Sequence, residues 1–279
     1  MRLVCGSRVL DLSRPVVMGV LNVTADSFSD GGRFRDFDAA LVQGRLLVEE
    51  GAAIVDVGGE STRPGAEPVG TQEELDRVIP VIEALTQQLD VVVSVDTMKP
   101  EVMDEAVKAG AGLINDVMAL QAPGALEAAV ASGAAVCLMH MQGTPRTMQE
   151  DPRYDDVVFE VGEFLQARAA ACTAAGMPPD RICLDPGFGF GKTVAHNLEL
   201  LNGLSTLADG PLPVLAGLSR KSMLGRLIGR PVNERLPGSL ALATIAALHG
   251  ARILRAHDVR ATADAVAVAW AVRTNAAGA

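Results

Sequence analysis

Short apolar, β-branched runs alternate along this chain with longer stretches of helical spacing. The runs fall at residues 16–21, 53–57, 91–95, 112–114, 134–139, 181–184, 212–216 and 251–254. Near-continuous hydrophobicity in such short segments suits strands of a parallel sheet covered on both faces. Helical spacing is read at 37–50, which stops at Gly51, and from Pro100 to about Gly110. Further helices are expected at 154–175, 194–207, 237–249 and 258–274, and Thr71 with Glu74 reads as a capping box opening another. Eight strand-then-helix units in one chain predict a (β/α)8 (TIM) barrel as a single domain over 1–279. A doubly wound open sheet shares the alternation but has less use for eight units. Residues 3–10 read as a β-hairpin turning at Gly6-Ser7, placed to plug the bottom of the barrel.

Composition narrows the function. At 279 residues with 49% hydrophobic content, the chain can bury a sizeable core. Aromatics at 3% and a net charge of -10 disfavour a stacking or phosphate-backbone surface for nucleic acid. The start lacks the apolar core of a signal peptide, and no run approaches the length that spans a bilayer. Cys5, Cys137, Cys172 and Cys183 form no C-x-x-C pair, so reduced, buried thiols in a cytoplasmic protein are expected.

Each apolar run ends at or near a polar side chain: Asn22, Glu60, Asp96, Asn115, His140, Asp185, Ser219 and Arg255. Barrel active sites are built at the carboxyl ends of several strands at once. The set pairs Asp96, Asn115 and Asp185 with the cations Arg63, Lys221, Arg255 and His257, as a polar ligand bearing an anionic group would require. Residues 22–32 form a polar, Gly-terminated loop carrying Phe28, read as a mobile lid. In 58–65 the glycines admit close backbone approach, and Thr62 with Arg63 suits phosphate oxygens. Residues 185–193 resemble a P-loop, but Pro186 stands where that motif needs glycine. Those glycines are expected to let Asp185 face inward and Phe190 cover a ligand. Lys221 and Ser222 open a helix and make an anion site, and Arg255 and His257 end the last strand as phosphate ligands. His140 and His196 read as packed or surface residues, with no spacing for a catalytic metal.

Seven segments taken together resemble the bacterial dihydropteroate synthases: 22–32, 58–65, Ser94-Val-Asp-Thr, Ile114-Asn-Asp, 185–192, Ser219-Arg-Lys-Ser and Arg255-Ala-His-Asp. The resemblance runs from the hairpin to the last helix with the motifs in order. It implies a transferase of folate biosynthesis that joins para-aminobenzoate to hydroxymethyl-dihydropterin pyrophosphate and releases pyrophosphate. It further implies Mg2+ accompanying the pyrophosphate, a homodimer packed through late helices, and sulfonamides competing at the aminobenzoate position. By the same resemblance Asp96, Asn115, Asp185, Phe190, Lys221 and Arg255 hold the pterin. Asn22, Thr62, Arg63, Arg255 and His257 take the pyrophosphate, with Asn22 as the metal ligand. Asp26, Phe28, Arg63, Pro64 and Ser222 border the aminobenzoate, and Asp96, Lys221, Arg255 and His257 serve catalysis. Where the family usually has proline the chain has Ala25, which predicts a more flexible first loop. Where it usually has a small polar residue the chain has Met98, which cannot cap the following helix. A corrinoid-linked pterin methyltransferase would share Asp96, Asn115 and Asp185 but has no need of the two anion-binding motifs. A non-catalytic pterin-binding barrel would not need to keep Asn22, Arg63, Lys221, Arg255 and His257 together.

Overall fold

The computed structural model describes residues 1–23, 33–61 and 67–276, with the side chains of 33–36 left aside. The lid loop from residue 24 on, Ala25, Asp26, Phe28, Thr62, Arg63 and Pro64 lie outside the described residues.

Eight parallel strands make the barrel. In chain order they are β3 (Val16–Asn22), β4 (Ala52–Gly58), β5 (Val92–Asp96), β6 (Leu113–Asp116), β7 (Ala135–Met139), β8 (Ile182–Asp185), β9 (Leu215–Ala216) and β10 (Ile253–Ala256). Neighbours pair from β8 through β7, β6, β5, β4, β3 and β10 to β9. A parallel bridge between Leu184 and Val214 joins β8 to the segment entering β9. Helices α1 (Arg33–Glu49), α2 (Thr71–Gln88), α3 (Pro100–Lys108), α4 (Ala125–Ser132), α5 (Val157–Ala174), α6 (Val194–Asn202), α7 (Leu204–Ala208), α8 (Ser222–Ile228), α9 (Leu236–Leu248) and α10 (Val259–Thr274) follow the strands.

Side chains alternate across a strand, so each strand feeds two cores. On β4, Val55 and Val57 join the core beneath the helices. Ile54 points into the barrel with Met18, Val92, Leu113 and Ile253. The hairpin β1 (Arg2–Cys5) and β2 (Arg8–Asp11) closes this inner core with Leu3, Cys5 and Leu10. Its seat depends on Gly112, where a Cβ would lie 2.6 Å from the Cys5 carbonyl oxygen. The plug predicted from residues 3–10 is therefore present.

Several boundaries differ from the sequence reading. The seventh strand keeps only two residues, because Pro213 has no N–H for the ladder. Helix 194–207 is broken at Gly203 into α6 and α7. Helix α4 escaped the reading: it is short and alanine-rich, bracketed by left-handed Gly124 and Gly133. The capping box is not at Thr71. Gly70 caps α2 without a side-chain bond, and Glu74 is buried in an ion pair with Lys99. A capping box occurs instead at α6, where Thr193 accepts from the His196 N–H and His196 Nδ1 accepts from the Thr193 N–H. Met98 is not at a cap position, since Lys99 caps α3. Its side chain packs with Met118, Met139, Met141, Met148 and Phe190.

Candidate active site

The same alternation that buries Ile54 puts Asp56 and Gly58 on the inner face of β4. Strand register then fixes the rim: Asn22 pairs with Gly58, Gly58 with Asp96, Asp96 with Asn115, and Met139 with Asp185. A Cβ on Gly58 would lie 3.8 Å from Asp96 Oδ2 and 3.9 Å from Asn22 Oδ1, so this glycine keeps the floor between them open.

Arg255 braces the centre. Its Nε donates to Asp56 Oδ2 at 2.6 Å and its Nη2 to Asp96 Oδ2 at 2.7 Å. Asn115 Nδ2 donates to the same Asp56 oxygen at 3.1 Å. Asp56 Oδ1 and Ser94 Oγ, side by side in register on β4 and β5, are buried with no partner among the described residues. Across the mouth, Asp185 Oδ1 accepts the Gly187 N–H at 2.7 Å. Lys221 lies over the Phe190 ring, its Nζ 4.1 Å from the centroid. His257 Nδ1 meets Ser219 Oγ at 3.0 Å. Behind it, Arg220 pairs with Asp258 through Nε and Oδ2 at 3.0 Å.

Burial sets the protonation of this ring. It pushes Asp96 up to about 7 against the pull of Arg255, and Asp56 adds like-charge repulsion. It raises Asp185, although the Gly187 N–H and Lys221 oppose that. It lowers Lys221 to about 8, with Asp185 opposing. Arg255 also pays for burial, but Asp56 and Asp96 outweigh it and keep the guanidinium charged. His257 corrects the sequence reading, which grouped it with the cations. Burial, then Arg255 and Arg220, hold it down to about 4, so it is a neutral imidazole at pH 7.

Of the residues picked out by sequence, Asn22, Asp96, Asn115, Asp185, Phe190, Lys221, Arg255 and His257 are at the carboxyl ends of the strands or the loops that leave them. Ser222 opens α8 directly after Lys221. Glu60 serves the frame, paired with Lys99. His140 is buried, as a packed residue. Asp56 lies inside its strand, where a reading of strand ends does not reach. Its signal is a lone charge in the middle of an otherwise apolar run, a position that is costly without a cationic partner. Among the described residues no group of three or more His, Cys, Asp or Glu is arranged to hold a metal.

A family model described as "Pterin binding enzyme" matches residues 18–257. The chain is 54% identical over 268 residues to the dihydropteroate synthase of Escherichia coli strain K12, covering 96% of this chain and 95% of that protein. The chain belongs to the dihydropteroate synthases. It is thus a transferase of folate biosynthesis with a pterin-binding barrel. The dihydropteroate synthase of Yersinia pestis, solved in a sulfonamide drug complex, superposes with a TM-score of 0.93 at 53% identity over 98% of this chain and 100% of that one. That of Xanthomonas albilineans, solved in complex with 7,8-dihydropteroate, does so with a TM-score of 0.89 at 51% identity over 98% and 99%. Neither rival from the sequence, the corrinoid-linked methyltransferase or the non-catalytic barrel, is favoured by these relatives.

Proposed function

We propose that this rim condenses para-aminobenzoate with hydroxymethyl-dihydropterin pyrophosphate by a dissociative route, with the whole of 1–279 acting as one domain. The observation that carries the reading is Arg255 braced between Asp56 and Asp96 on the rim that also bears Asn115, Asp185 and Lys221. A pterin's amino-pyrimidinone edge presents adjacent N–H donors, which the Asp185 carboxylate can accept in parallel. Asn115 offers both a donor and an acceptor, and Lys221 donates to ring oxygen and nitrogen. Phe190 and Arg255 lie against the two faces of the ring. The C–O bond to pyrophosphate breaks first, its electron pair leaving with the pyrophosphate. Asp96 favours the cation left on the pterin methylene electrostatically. The amine then attacks that carbon and gives up its proton. No covalent enzyme intermediate is required.

Thr62, Arg63, Arg255 and His257 would hold the pyrophosphate. With Nδ1 accepting from Ser219, neutral His257 offers its Nε2–H to a phosphate oxygen. Asp26, Phe28, Arg63, Pro64 and Ser222 would border the aminobenzoate. The donor set fits a Mg2+ carried in on the pyrophosphate: Asn22 supplies one neutral oxygen, and magnesium commonly keeps waters and substrate oxygens as its other ligands. Bound there, the metal would neutralise the departing anion.

The assembly we favour is a homodimer through α9 and α10. Their outer faces expose Leu248, Val268 and Val272 around a cleft of about 520 Å³. The favoured location is the cytoplasm, a compartment suited to four buried, unpaired cysteines. No described helix is long and apolar enough to cross a membrane.

The test mixes the protein with the pterin pyrophosphate, magnesium and para-aminobenzoate and follows pyrophosphate release. Release that needs the amine is expected; none above background overturns the reading. Asp185→Asn is expected to weaken pterin binding at least tenfold, and Lys221→Ala to lower turnover as well, by the ~1.5–3 kcal/mol of a charge-assisted hydrogen bond in each case.

A further inference from the structure

The near-P-loop at 185–193 keeps its lysine but aims it inward. Lys192 is 3% exposed. Its Nζ lies 3.0 Å from the Gly187 carbonyl oxygen, 3.0 Å from that of Phe190, 3.4 Å from that of His140, and 3.0 Å from His140 Nδ1. Gly187, Gly189 and Gly191 all have left-handed φ, of 70°, 82° and 59°, and this curls the loop around the ammonium. A P-loop turns N–H groups toward an anion; here carbonyl oxygens are turned toward a cation. An ammonium has three protons to donate and nothing to accept with. While Lys192 is an ammonium, His140 Nδ1 must therefore be the unprotonated nitrogen, which puts the ring proton on Nε2; burial lowers Lys192 to about 7, with Asp185 opposing, so this holds below that pH.

The residues gripped are those that bracket the pterin-binding groups. Gly187 gives its carbonyl to Lys192 and its N–H to Asp185 Oδ1. Phe190 gives its carbonyl to Lys192 while its ring lies under Lys221. Two further carbonyls of the loop are held from outside, Gly189 by Gln149 and Gly191 by the Tyr154 hydroxyl, both at 2.7 Å.

We infer that Lys192 is a positioning residue for pterin recognition, acting with neutral His140 as the internal post around which the loop sets Asp185 and Phe190. This rests on the assignment of Asp185 and Phe190 to the pterin. Lys192 does not touch the substrate itself.

The test compares Lys192→Met, a neutral side chain of similar length, with the wild type and with Asp185→Asn. For Lys192→Met, the Kd for the pterin pyrophosphate, titrated alone by calorimetry, is expected to rise at least tenfold. The KM for para-aminobenzoate should stay within twofold. A folded Lys192→Met that binds the pterin pyrophosphate as the wild type does, while Asp185→Asn does not, overturns the inference. Wild-type binding by Asp185→Asn instead overturns the assignment beneath it.

A second measurement needs no variant. Nitrogen-15 spectra of the wild type should show His140 with Nδ1 unprotonated and Nε2 protonated from about pH 5 to about pH 6, where Lys192 keeps its proton. The groups facing this ring are the Lys192 ammonium, the Tyr154 ring and the Phe164 ring. Burial and Lys192 together hold it down to about 3. A proton on Nδ1 at any pH in that range overturns the inference even if Lys192→Met fails to fold.

Discussion

Arg255 on β10 reaches past β3 to Asp56 on β4, with Nε 2.6 Å from Oδ2, and so ties strands that do not pair with one another. Asp56 has no exposed surface. Removing one partner of a buried ion pair leaves the other uncompensated. Asp56→Ala should destabilise the fold by about 3 kcal/mol, measured by urea unfolding. Asp56→Asn should also move the acid limb of activity to lower pH, because Asp56 is one of the charges that raise Asp96. An unchanged limb would remove Asp56 from the electrostatics of the site.

A bell-shaped pH profile is expected for kcat/KM. Asp96 acts as a carboxylate, so activity rises as pH rises through about 7. Lys221 acts as an ammonium, so activity falls as pH rises through about 8. Lys221→Arg keeps its charge beyond that point and should carry the alkaline limb upward, at whatever rate it retains. Initial rates across the pH range, with the pterin pyrophosphate below its KM, measure both limbs.

The hairpin plug should be worth a full core residue at each apolar position. Leu3 is completely buried among the inward side chains of the strands. Leu3→Ala should cost about 2–5 kcal/mol in equilibrium unfolding. Turnover per folded molecule should hold, since the change lies at the end of the barrel opposite the rim.

Sedimentation should find a dimer that Val268→Asp converts to a monomer. Val268 is 66% exposed beside Val272 on α10, so the substitution costs the isolated chain little and puts a charge in the shared face. A wild-type monomer at micromolar concentration would place this face outside any self-association.

The rim was legible because two simple periodicities converge on it. Apolar runs mark the strands, and the residue where each run stops sits at the mouth; Asp96, Asn115, Asp185 and Arg255 were found that way. Asp56 lies one step inside a run, where the stopping rule does not look. The direction of Lys192 was not legible either, since a glycine-rich loop ending in lysine is compatible with N–H groups or carbonyls facing inward. The three left-handed glycines decide it. Ordinary propensity also misplaced a cap. Thr71 and Glu74 have the right spacing, but Glu74 is buried against Lys99, and ion pairing there outweighs a bond to the helix end.

The two-residue strand β9 gives the barrel a seam. Between β8 and that strand the ring is held by the Leu184–Val214 bridge and by the Leu184 N–H on the Pro213 carbonyl at 2.9 Å. Asp185 stands immediately after one side of this join, and Lys221 leaves from the other. The weakest joint in the cylinder thus runs between the carboxylate and the ammonium that grip the pterin from either side. Warming should spoil the catalyst before it melts the fold.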